Sequence, residues 1–96
     1  MATTGNVDEY LKGKCWLTSD SSDIAQIAYD PTTSTVYLQS VQSRRWFFYR
    51  DVSVGEAKAF AEAGSQGQWS WTYLRRVKDP SQRGYGMPPG AATENP

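Results

Sequence analysis

Residues 35–50 read TVYLQSVQSRRWFFYR, and the way this stretch divides decides the fold. Thr35-Val36-Tyr37-Leu38-Gln39 alternates apolar and polar side chains with β-branched and aromatic content, the pattern of a half-buried strand. A polar connection, Gln42-Ser43-Arg44, leads into Arg45-Trp46-Phe47-Phe48-Tyr49-Arg50, which reads as a further strand. Side chains on a strand point alternately to its two faces. This one carries aromatics on both parities, so each face needs an apolar partner or a ligand.

Upstream, Ile24, Ile27 and Tyr29 precede Asp30-Pro31-Thr32-Thr33-Ser34, whose residue types suit a tight turn between two strands. Downstream, Ser53-Val54-Gly55-Glu56 has the S-x-x-E spacing of a capping box and predicts a helix start. Ala57, Phe60 and Ala61 form its buried stripe, Lys58 and Glu62 an outer pair, and Gly64 its end. So narrow a stripe suits a helix lying on a sheet. From Trp69 to Arg76, Trp69, Trp71 and Tyr73 alternate with Ser70, Thr72 and Leu74, which favours a strand; the length also allows a short helix. The fold class expected is therefore α+β: a small antiparallel sheet of three to four strands with one covering helix, in the order β-β-β-α followed by a short strand or helix.

The 96 residues suffice for one domain with a modest core. Residues 1–20 read as a frayed arm, although Tyr10, Leu11, Cys15, Trp16 and Leu17 could dock on the domain. Residues 21–79 read as the domain itself. Residues 80–96 gather four of the five prolines and three of the eight glycines and read as a disordered tail. A formal net charge of zero removes the bulk attraction to phosphates that a DNA-coating protein uses. The distribution is uneven, however: acidic residues dominate up to Ser43, whereas cations dominate from Arg44 to Arg83. The single Cys15, with neither a secretory signal nor an apolar run long enough to span a membrane, points to a cytoplasmic setting.

Chemistry-bearing residues are few. The chain has no histidine, which removes the commonest general base and metal ligand. A zinc site would have to rest on carboxylates such as Asp20, Asp23 and Asp30, which turn-rich sequence explains equally well. Ser22 and Ser65 suit local hydrogen bonding, Ser22 capping a turn before the first strand and Ser65 accepting from the Gly67 amide. Gly64-Ser65-Gln66-Gly67 follows a helix, whereas a phosphate loop opens one. The expectation is a domain with no enzyme activity, no cofactor and no metal.

Taken together, the motifs resemble those of the KTSC domain, a small family named for a module at the C-terminus of some lysyl-tRNA synthetases and found also as free-standing bacterial and phage proteins. The resemblance lies in Ser21-Ser22-Asp23-Ile24, Ile27, Tyr29-Asp30, Val36, Leu38, Phe47, Tyr49, Val52, Ala63, Ser65, Gly67 and Leu74-Arg75. It covers Ser21 to about Val77. The chain departs from the family pattern at Ser40, at the Gln42-Ser43-Arg44 connection, at Ser53 in place of a proline, and at Ser70-Trp71 in place of Phe-Asn. The resemblance implies a compact β-β-β-α unit and says little of function.

The surplus of aromatic and arginine residues is the more specific signal. The family's aromatic pair, Phe47 and Tyr49, falls on the helix-covered face, leaving Trp46 and Phe48 with Arg44 and Arg50 on the opposite one. As a strand, the last segment would align Trp69, Trp71, Tyr73 and Arg75 similarly. Ring faces beside guanidinium groups stack bases and hold phosphates. The expected ligand-binding residues are therefore Arg44, Trp46, Phe48, Arg50, Trp69, Trp71, Arg75 and Arg76. The expected partner is single-stranded nucleic acid or a nucleotide. The alternative is a phage-type interaction or inhibitor module that docks on a host protein, or self-associates, through the same residues. Equally, a second core layer, built from the N-terminal arm, the Trp segment or another copy of the chain, could absorb the rings.

Overall fold

The structure is a computed structural model that describes residues 3–4, 6–19 and 21–88. Its centre is set by a local turn. Asp30 Oδ1 accepts from the Thr32 amide at 2.9 Å, and Ser34 adopts a φ of 54°, which folds β4 (Thr35–Ser40) antiparallel onto β3 (Ile24–Asp30). Tyr29 then faces Val36, and Ile27 faces Leu38. Strict alternation would place Ile24 and Ile27 on opposite faces. A register shift between Ile24 and Gln26 inserts the extra residue, and both isoleucines are buried. β5 (Trp46–Tyr49) pairs next, with Tyr49 opposite Val36 and Phe47 opposite Leu38.

The capping box forms as the sequence predicts: Ser53 Oγ accepts from the Glu56 amide at 3.1 Å, and the Ser53 amide donates to Glu56 Oε1 at 2.9 Å. It starts α2 (Val54–Glu62), which lays Ala57, Phe60 and Ala61 on the sheet.

The α+β class is as expected, but the sheet exceeds the three to four strands anticipated. Among the described residues six strands lie in chain order, all antiparallel to their neighbours. The extra strands come from the ends. Residues expected to form an arm supply β1 (Thr3–Thr4), α1 (Val7–Leu11) and β2 (Leu17–Ser19), and Tyr10 and Leu17 are completely buried. Residues expected to be tail supply a 3-10 turn over Pro80–Gln82 and β6 (Arg83–Tyr85), which pairs with β5. Gly84 and Gly86 let β6 lie close against the Phe48 ring, since a Cβ on either would stand 3.0 Å from it. The domain therefore extends well beyond 21–79; the remainder of the expected tail, residues 89–96, lies outside the described residues.

Two further corrections concern serines. The turn before β3 is capped by Ser21, whose Oγ accepts from the Asp23 and Ile24 amides, while Ser22 is exposed. Ser65 Oγ accepts from Gln68, not Gly67, and so caps α3 (Gln66–Ser70). A helical unit begins there because the capping serine sits three residues before the amide that donates to it, the same geometry that starts α2. Among the described residues no helix is long and apolar enough to cross a membrane.

Two tyrosines bind the layers together. Tyr10 donates to the Ala57 carbonyl at 3.2 Å and Tyr29 to the Val52 carbonyl at 2.6 Å. Burial raises the pKa of Tyr10, reinforced by Tyr29 beside it. Burial likewise raises that of Tyr29, partly offset by a hydrogen bond from Ser34. A raised folded-state pKa favours the neutral form, so this stabilisation is complete below the ordinary value of 10.0 and is lost as pH rises beyond it. The urea midpoint is expected to be insensitive to these groups between neutrality and that value and to fall steadily above it. An unchanged midpoint about one to two pH units higher would contradict the assignment.

Candidate functional site

The parity expected of β5 is correct, but its outer face is not an open platform. Trp46 is buried, its ring edge-on to Trp16 at 5.1 Å and 64°. Phe48 is half-buried against Gly84 and Gly86, with Tyr37 tilted beside it at 6.4 Å and the Arg50 guanidinium 5.1 Å over its ring. Pro88 is buried too and lines a recess with Trp16 and Ala28. The two ends of the chain thus supply a second core layer there. Arg44 is exposed in the β4–β5 turn with a φ of 60°.

The segment from Trp69 is helical, which corrects the preferred strand. After α3 the backbone widens into a π-helical turn, Trp71–Arg75, closed by the Arg76 amide donating to the Trp71 carbonyl at 3.1 Å. The rings that a strand would have aligned are therefore dispersed. Trp69 turns inward and stacks on Phe60 at 5.2 Å and 24°, with Tyr73 behind it at 5.0 Å. Trp71 turns the other way, 56% exposed, with the Arg75 guanidinium 5.9 Å over its ring. Of the eight residues expected to bind a ligand, the structure brings Trp71 and Arg75 together on one cleft. Arg76 is exposed and does not line it.

That cleft lies between the sheet and the α3–π segment and encloses about 610 Å³, within the range of small-molecule sites. Leu38, Phe47 and Tyr49 of the sheet, Trp71 and Arg75 of the π-helical turn, and Tyr85 of β6 line it. Asp23, Ser40, Ser65 and Ser70 add polar groups to the lining. Tyr85 is 65% exposed; its ring leans on Phe47 at 4.9 Å and carries the Arg45 guanidinium 5.0 Å away. Burial raises the pKa of the Tyr49 hydroxyl, opposed by the charge of Arg75. Gly67 lies against Asp23, just before β3: a Cβ there would meet Asp23 Oδ2 at 2.7 Å and make the carboxylate swing aside.

The hydroxyls are largely committed to structure. Ser70 donates to the Gly67 carbonyl at 2.9 Å, Ser65 caps α3, and Ser40 accepts from the Ser43 amide at 3.4 Å. What remains available is apolar ring surface beside a cation. Among the described residues, no three His, Cys, Asp or Glu side chains gather in a way that could hold a metal ion.

Phe47, Tyr49, Tyr85, Asp23 and Gly67 are the site residues that sequence reasoning misses. Ser65 and Gly67 are marked by the family resemblance, and a helical reading of 66–75 would place them beside Trp71. Tyr85 gives no local signal, because its role depends on pairing with a strand more than thirty residues earlier. In comparisons with known proteins, no family model matches the chain and no curated protein matches its sequence.

Proposed function

We propose that the chain is a KTSC-like binding module, without a catalytic step, whose cleft takes a nucleotide, either free or as a unit of a single nucleic-acid strand. The observation that carries this reading is the pair of exposed rings, Trp71 and Tyr85, bordering one cleft beside the Arg75 guanidinium. Exposed aromatic surface is normally limited in a small monomer, and rings bordering one cleft offer a base surfaces on which to stack. Arg75 supplies positive charge where the chain as a whole has none to spare. The β-β-β-α order of β3, β4, β5 and α2 agrees with what the family resemblance implies.

Titration with mononucleotides and short single-stranded oligonucleotides at low salt, followed by tryptophan fluorescence, tests the reading. A saturable change is expected, and Trp71→Ala should weaken binding by about 1–3 kcal/mol, roughly 5- to 150-fold. Stronger binding of the oligonucleotide than of its monomer identifies the strand as the ligand. No response to either at millimolar concentration would overturn the reading.

A second reading is supported by one further observation. Tyr73 and Val77, 55% and 66% exposed and four positions apart, leave further apolar surface in the open next to this segment, as a docking or self-association surface would. Sedimentation of the free chain distinguishes the two: a concentration-dependent dimer abolished by Tyr73→Ser favours association, and a monomer favours the ligand cleft.

A further inference from the structure

We propose that the recess between Arg75 and Arg83 is a phosphate subsite, opening beside the larger cleft. It encloses about 170 Å³ and shares Phe47, Tyr49, Arg75 and Tyr85 with that cleft, to which Arg83 and Pro80 are added. The two guanidinium groups come from different elements, one from the end of the π-helical turn and one from the first residue of β6. Like charges are thus brought to one small space.

The Nε of Arg83 is withdrawn from solvent and has no hydrogen-bond partner. A guanidinium carries only donors, and a cationic donor taken out of water without an acceptor is costly. Among the described residues no acid supplies one: the ion pair formed there is Lys12 with Glu9, on α1 and its cap. Asp51, the acid just beyond β5, is taken by Gln82 Nε2. An oxyanion entering the recess would neutralise both arginines and accept from the terminal guanidinium nitrogens of Arg75 and Arg83, which line it. A tetrahedral phosphate suits this better than a carboxylate, because its oxygens diverge and can reach groups on two walls, whereas a planar carboxylate is matched by one guanidinium fork. Tyr49 can add a hydroxyl donor, since burial keeps it neutral.

The inference rests on the nucleotide reading for what the phosphate is attached to, but the subsite is defined by different atoms. The test is titration of the full chain, labelled at arginine side chains, with inorganic phosphate at constant ionic strength, following the Nε–H resonances. Phosphate should move the Arg83 signal saturably, and Arg75→Gln, at an exposed position, should weaken this by about tenfold or more while leaving the spectrum of the fold intact. Arg83→Lys should weaken it as well, because charge is kept but the fork is lost. Acetate should act more weakly than phosphate. An Arg83 resonance indifferent to phosphate, or equally responsive to chloride or acetate, overturns the subsite. Adenosine serves as the separate arm. If it perturbs tryptophan emission while phosphate leaves Arg83 unmoved, the subsite fails and the cleft reading stands. If phosphate binds and adenosine does not, the subsite stands and the base-stacking reading fails.

Discussion

Replacing Phe60 with alanine is expected to remove about 3–5 kcal/mol of unfolding free energy, a large part of the roughly 5–15 kcal/mol that holds a domain together. Phe60 is completely buried at the centre of the helix-covered layer. Its neighbours on α2 are Ala57 and Ala61, too short to close over the space a ring would leave. The ring also anchors the next segment of the chain, because Trp69 lies flat on it at 5.2 Å. Losing it should loosen α3 and, with it, the wall of the cleft that carries Trp71 and Arg75. Urea unfolding should show a lower midpoint with the slope retained, and emission from Trp69 should shift to the red in the folded variant. A loss smaller than about 1.5 kcal/mol would mean that the layer can repack around the gap, which the small neighbouring side chains argue against. Phe60→Leu keeps most of the volume and should cost much less.

How far the sequence can be read depends on the range of the forces involved. The β3–β4 turn and the start of α2 are legible because each is determined within a few residues, by Asp30 on the Thr32 amide and by Ser53 and Glu56 on each other. The parity of β5 is legible for the same reason. Its consequence is not. Whether Trp46 meets a ligand or the core depends on Trp16, thirty positions away, arriving on the same face. The segment from Trp69 to Arg75 misleads because its alternation of ring and polar residues fits a strand equally well. A helical cap at Ser65 and the stacking of Trp69 on Phe60 decide the matter, and the second of these is a tertiary contact that overrides local pattern. β6 is hidden by composition: glycine and proline usually signal absence of order, yet at Gly84 and Gly86 the Phe48 ring comes so close that a Cβ would force it to shift. The site divides in the same way. Trp71 and Arg75 are visible as residue types, while Tyr85, Asp23 and Gly67 acquire a role only once β6 and α3 are in place.

A fragment limited to residues 21–79, the span that local pattern alone marks as a domain, is accordingly expected not to fold. It lacks Tyr10 and Leu17, both completely buried in the main core, and each worth about 1.5–3 kcal/mol by apolar burial. It lacks Trp16, which covers Trp46, and Pro88, which is buried near it. It also lacks β2 and β6, so the backbone groups of β3 and β5 that they satisfy are left as open sheet edges. Bare edges beside uncovered aromatic rings favour pairing between chains. Together these losses approach the whole stability expected of a chain this size, so the fragment should give a collapsed far-ultraviolet signal and a poorly dispersed spectrum, or aggregate at micromolar concentration. A chain ending at Pro88 retains all of these contacts and should unfold cooperatively. If the fragment itself unfolded cooperatively, the two ends would be decoration on an autonomous core, and the burial of Tyr10, Leu17 and Trp46 would not be what holds the sheet together. The outcome also bears on the cleft, since Tyr85 belongs to the part removed: a fragment that does not fold cannot bring Trp71 and Tyr85 to one cleft, and binding should disappear with the fold.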